Sequence, residues 1–158
     1  MSVHVAVCGP AEANQRELAW AEEIGRLLGE AGAVVVCGGL GGVMDAAAKG
    51  AAGAGGDSIG ILPGISRAGA SEHLTWAVPT GMGEARNALV VRAADAVIAL
   101  SGEYGTLSEI ALALKMDKPV VGLNTWHFTK ADRDTTDPVV RAASPEEAVL
   151  RALELASG

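Results

Sequence analysis

The chain has 158 residues, 49% of them apolar and only 3% aromatic, with a formal net charge of −7. That length suits one domain over residues 1–158 with a core of Ala, Val, Leu and Ile. The acidic balance and the lack of any Lys/Arg run argue against a nucleic-acid surface, and no stretch nears the ~20 apolar residues of a membrane span.

The opening MSVHVAV has no basic region and reads as the start of a strand, not a signal peptide. Val3–Cys8 is an apolar run ended by Gly9-Pro10, a buried strand. Glu12–Ala31 mixes Leu18, Ile24, Leu27 and Leu28 with charges, a helix that Gly32 stops. Ala33–Cys37 is a second strand, Val43–Ala52 a helix, and Ser58–Leu62 a third strand stopped by Pro63-Gly64. Ile65–Leu74 reads as a loop and Thr75–Val78 as a short strand. Then follow a helix over Glu84–Ala93, a strand over Ala96–Leu100, a helix over Leu107–Lys115 and a strand over Val120–Leu123. Asn124–Asp137 is polar and turn-rich, Val139–Arg141 a last short strand, and Ser144-Pro145-Glu146-Glu147 opens a closing helix.

Strands alternating with helices imply βαβ units. The expected fold is therefore α/β: a single Rossmann-like domain with a parallel sheet and helices on both faces. Ligands of such sheets sit beyond the carboxyl ends of the strands. Four of the five main strand ends carry glycine: Gly9, Gly38-Gly39, Gly64 and Gly102. Glycine lets a backbone approach a ligand closely.

Three motifs invite chemistry. Gly38-Gly39-Leu40-Gly41-Gly42 joins a strand to a helix, where N–H groups hold an oxyanion or the chain merely turns tightly. It is not the spaced dinucleotide fingerprint. Ser101–Glu109 is a glycine loop feeding a helix. Either Gly102, Gly105 and Thr106 cradle a phosphate with Glu109 facing it, or Thr106-x-x-Glu109 is a capping box. In GMGEARN, Arg86 offers a planar fork suited to phosphate or carboxylate, or is a solvated surface charge. Trp126-His127-Phe128 either stacks a ring or plugs the core beneath a loop. Cys8 and Cys37 have no disulfide or metal-ligand spacing, so small buried residues are expected and no metal site.

GGLGGVMDAAAKGA, IGILPG, GMGEARN and SGEYGTLSE, in this order, resemble the LOG family, whose members were once called lysine decarboxylases, over Val3 to about Leu123. The resemblance implies a nucleotide-binding Rossmann-like fold and cleavage of the N-glycosidic bond of nucleoside 5′-monophosphates. By the same resemblance, Glu109 and Arg86 are catalytic. The resemblance puts phosphate on Gly102, Gly105 and Thr106, and the candidate ligand contacts taken together are Gly9, Gly38, Gly39, Gly41, Gly42, Met44, Arg86, Asn87, Gly102, Tyr104, Gly105 and Thr106. The family pattern P-G-G-x-G-T-x-x-E is altered here: Ser101 stands for its Pro and Glu103 for its second Gly, and Asn87 replaces the Lys of an R-K pair. A carboxylate at Glu103 facing a phosphate would repel it. These departures resemble a small subgroup that includes the molybdenum cofactor carrier protein.

Two functions follow from that resemblance. One is a binder of a phosphate-bearing nucleotide-like or pterin-like molecule, with a nucleotide or molybdenum cofactor bound and no cofactor required. The other is a nucleoside 5′-monophosphate phosphoribohydrolase. A cytoplasmic homodimer or homotetramer is implied, with Glu84–Ala93 as an interface helix and neither nucleic acid nor membrane as partner. Lysine decarboxylation is not expected, because neither Lys115 nor Lys118 sits where a pyridoxal Schiff base is suggested. Ligand specificity is expected in the Asn124–Asp137 loop.

Overall fold

Apolar runs of four or five residues, bounded by Gly, Pro or Asp, build the centre of the molecule. In the computed structural model, which describes residues 1–131 and 136–158, they form β1 (His4–Cys8), β2 (Val34–Cys37), β3 (Ser58–Leu62), β5 (Ala96–Leu100) and β6 (Val120–Leu123). The short strands β4 (Trp76–Pro79) and β7 (Val140–Ala142) close the two edges. All seven are parallel, in the order β4-β3-β2-β1-β5-β6-β7. The helices are α1 (Gln15–Glu30), α2 (Val43–Gly53), α3 (Asn87–Arg92), α4 (Tyr104–Lys115) and α5 (Pro145–Ser157).

The pleat sends alternate side chains to opposite faces. Val5, Val7, Ile98 and Leu100 meet α1, α2 and α5, whereas Ala6, Cys8, Val97 and Ala99 meet α3 and α4. Both faces are covered, which is why these strands read as continuous apolar runs instead of alternating ones. Glycine sets the spacing of α1 and α2: a Cβ on Gly25 would lie 2.0 Å from the Ala47 carbonyl oxygen, and one on Gly50 would lie 1.9 Å from that of Glu22.

Three expectations need correction. The helix expected from Leu107 starts at Tyr104, so Thr106 is already inside it and is not an N-cap. The expected Glu84–Ala93 helix is a 3₁₀ turn, Gly83–Arg86, followed by the short α3. Val90 and Val91 are fully buried in the core, so this segment is no long apolar helix offering those side chains to a second copy. The third concerns α1, which starts at Gln15, later than expected. Its N-cap Asn14 and Glu17 form a reciprocal capping box. No helix among the described residues is long and apolar enough to cross a membrane.

Candidate functional site

Sheet order reverses direction between β1 and β5, the first from which the chain runs outward to β2, β3 and β4, the second to β6 and β7. At such a switch point the loops part and leave a crevice beyond the strand ends. A cleft of about 450 Å³ lies there. Its floor is the end of β1, from Val7 to Gly9, and α4 supplies Gly105, Thr106 and Glu109. Arg86, Asn87 and Met44 complete the wall.

Arg86 reaches the cleft because the chain before it is pinned. Gly81 and Gly83 adopt φ of +64° and +57°, and their N–H groups donate to the carbonyls of Gly64 and Pro63 at 2.8 and 3.0 Å. The guanidinium then lies on the end of β2. Nη2 donates to the Gly38 carbonyl at 3.4 Å, and Nη1 donates to Asn87 Oδ1. A Cβ on Gly38 would sit 2.7 Å from Nη2, so this glycine is the floor on which Arg86 rests. Asn87, 7% exposed, passes the network on to Ser108 Oγ at 3.1 Å, which donates to the Gly105 carbonyl. Arg86 Nε is buried and has no acceptor among the described residues. A buried guanidinium N–H left unpaired carries a desolvation cost that an anion in the cleft would remove.

The first turn of α4 borders the same space. Its N-cap, Glu103, makes no side-chain cap hydrogen bond. Gly102 adopts φ of +104°, and a Cβ there would lie 2.3 Å from Thr106 Oγ1; glycine is what lets the loop fold down on Thr106. Open N–H groups and the positive end of the helix dipole favour an anion at such a place. Glu103 is exposed and borders this cleft.

Glu109 is not a cap. It lies in the second turn of α4, is 7% exposed, and lines the cleft together with Cys8. Burial pushes its pKa up to about 7, against the opposing pull of the Cys8 hydrogen bond and the Arg86 charge. Burial and the neighbouring Glu109 raise the Cys8 thiol well above its ordinary range. Burial raises Cys37 to about 11. The two cysteines sit in the cores on opposite faces of the sheet.

The glycine loop before α2 lies outside the cleft lining, which includes none of Gly38, Gly39, Gly41 or Gly42. The physical reason is that backbone already occupies the space. Val43 N–H at the start of α2 donates to the Pro10 carbonyl at 3.0 Å, and a Cβ on Gly42 would lie 2.2 Å from the Ala11 carbonyl oxygen. Gly39 accepts from the Ser71 N–H, and Gly41 stands on the surface. Tyr104 is 76% exposed and packs its ring on Trp126, with centroids 5.9 Å apart. Phe128 packs against the core, and residues 132–135 of the expected specificity loop lie outside the described residues.

A second cleft, of about 390 Å³, adjoins the first and shares Pro10, Glu12 and Glu103 with it. Ser101, Gly102, Asn124, Thr125 and Trp126 form its other side. Sequence reasoning assigned no role to Glu12, which borders both spaces; an isolated surface glutamate carries no signal of that.

A family model described as the SLOG cluster4 family matches residues 2–149, and the chain belongs to that family. The molybdenum cofactor binding protein of the phototrophic bacterium Rippkaea orientalis is 34% identical with a TM-score of 0.88, the match covering 98% of each chain. The molybdenum cofactor carrier protein of Chlamydomonas reinhardtii gives the same identity and TM-score, with 100% of each chain covered. An uncharacterised protein of Archaeoglobus fulgidus is 41% identical over 121 residues, 77% of this chain and 80% of that one.

Proposed function

We propose that this member of the SLOG cluster4 family binds a phosphate-bearing, nucleotide-like or pterin-like small molecule, and does so as a carrier. The observation that carries the reading is Arg86 Nε, buried without an acceptor among the described residues, in the cleft that the start of α4 also lines. A phosphate would take that N–H and the open amides of the first turn together, with Thr106 beside it. The similarity to molybdenum cofactor binding and carrier proteins supports cargo of this kind. Calorimetric titration with ribose 5-phosphate tests the site. Arg86→Ala should weaken binding at least tenfold, and an unchanged affinity would remove the cleft from the reading.

Glu109 supports a second reading, a nucleoside 5′-monophosphate phosphoribohydrolase. Breaking the C1′–N bond leaves an oxocarbenium-like ribosyl centre, which water then captures while the base takes a proton. A buried carboxylate near the phosphate subsite would stabilise that cation. Adenine release from AMP by the wild type but not by Glu109→Gln would establish turnover. No release from any of the common nucleoside monophosphates would leave the carrier.

A further inference from the structure

We infer that Ser108, which lines neither cleft, is a positioning residue for the anion site: acting through Asn87, it holds the Arg86 guanidinium at the wall of the first cleft. The inference rests on the reading that this cleft takes a phosphate.

The direction of every bond in the relay follows from Arg86. A guanidinium has donors only, so the Asn87 side chain must turn its oxygen toward Nη1. That leaves its amino group facing Ser108, where Nδ2 donates to Oγ at 3.1 Å. Ser108 Oγ, having accepted, sends its own proton to the Gly105 carbonyl at 2.7 Å. Nη2 is engaged separately, at the Gly38 carbonyl 3.4 Å away. The guanidinium is therefore tied to the end of β2 on one side and to the first turn of α4 on the other. A phosphate held by Arg86 and by the open amides of that turn needs the two in fixed register.

Burial makes the relay matter. Asn87 opens α3 and is 7% exposed, so an amino group that lost Ser108 would have little water to turn to. Its amide would then gain nothing from keeping its present orientation. Turned over, it would set amino group against Nη1, donor facing donor, and push the guanidinium off its seat. The relay also requires an amide at this position. A lysine there has donors only and would accept nothing from Arg86.

The Nε–H resonance of Arg86 in isotope-labelled protein, assigned by its disappearance in Arg86→Ala, reads the positioning without any ligand. Ser108→Ala should shift or broaden that resonance and weaken ribose 5-phosphate about fivefold in calorimetric titration. Ser108→Thr keeps a hydroxyl able to reach the carbonyl one turn back and should restore both. Alanine is the better helix former, so α4 is expected to persist in Ser108→Ala, and melting by circular dichroism checks it. An unmoved Nε–H resonance would overturn the inference, as would an unchanged affinity in Ser108→Ala or an equal loss in Ser108→Thr. Failure of the wild type to bind ribose 5-phosphate would instead remove the phosphate reading, and the Nε–H resonance would still decide whether Ser108 holds Arg86.

Discussion

Cys8 at the end of β1 and Glu109 on α4 are both buried and line the same cleft, so the two elements that flank the switch point meet at this pair. The pair makes folding pH-dependent. Glu109 releases its proton at about pH 7 in the folded chain, against 4.5 for an ordinary glutamate. Between those values the folded state holds a proton that the unfolded state has lost. Its stabilising contribution is complete below about pH 4.5 and disappears as the pH rises through about 7. The gap corresponds to at most about 3 kcal/mol. Glu109→Gln removes this dependence, so the variant should gain on the wild type between pH 5 and pH 8 in urea unfolding. Parallel curves for the two proteins would show that Glu109 is ionised throughout.

Gly102 and Gly105 stand three residues apart, on either side of the start of α4, and should respond oppositely to alanine. At Gly102 the φ of +104° and a Cβ 2.3 Å from Thr106 Oγ1 make Gly102→Ala strained, with an expected loss of about 1–3 kcal/mol. Gly105 lies in α4, and a Cβ there meets nothing within 4 Å. Gly105→Ala should gain up to about 1 kcal/mol of helix stability. It should still weaken ribose 5-phosphate, because Gly105 lines the first cleft and a methyl group would narrow it. Thermal melts and calorimetry on the two variants separate the effects; a Gly105→Ala protein that is both more stable and equally avid would move the phosphate away from this turn.

The strands were the most legible part of the sequence. Ser58–Leu62, Ala96–Leu100 and Val120–Leu123 form as read, because each is an apolar run with a turn-former or Asp at one end and is covered on both faces. The beginning of α4 was not legible. Gly105 reads as a loop residue but lies in the first turn of the helix, which begins at Tyr104 with Thr106 folded close over Gly102. Motif reading brought Arg86, Asn87, Thr106 and Glu109 to one cleft. It could not show that Gly38 serves as the seat of an arginine far along the chain, nor that the Pro10–Ala11 backbone fills the space beneath Gly42. Both are contacts between distant segments, and no local pattern encodes them.

The α1–α2 contact offers a similar contrast one helical turn apart. A Cβ on Gly50 would lie 1.9 Å from the Glu22 carbonyl oxygen and 2.8 Å from the Arg26 nitrogen, so both obstacles are helix backbone that cannot step aside. Gly50→Ala should force the helices apart and cost about 3 kcal/mol or more. Gly53, also in α2, has nothing within 4 Å of its Cβ position. Gly53→Ala should stabilise by about 0.5–1 kcal/mol through helix propensity and a less flexible unfolded chain. Chemical denaturation of the two variants checks the sign of each, and a harmless Gly50→Ala would mean that α1 and α2 pack less closely than described.

Arg141, on the edge strand β7, controls the placing of Trp126. Its Nη2 donates to the Trp126 carbonyl at 2.6 Å and also pairs with Asp137. Room for the guanidinium comes from Gly122 on β6, where a Cβ would lie 3.0 Å from Arg141 Nη1. Arg141→Met keeps much of the aliphatic bulk and removes both polar contacts, at a cost of about 1–3 kcal/mol. The freed loop should let Trp126 take up water, which shifts its fluorescence to the red. An unshifted emission maximum would mean that the core packing of Trp126 holds the loop without Arg141.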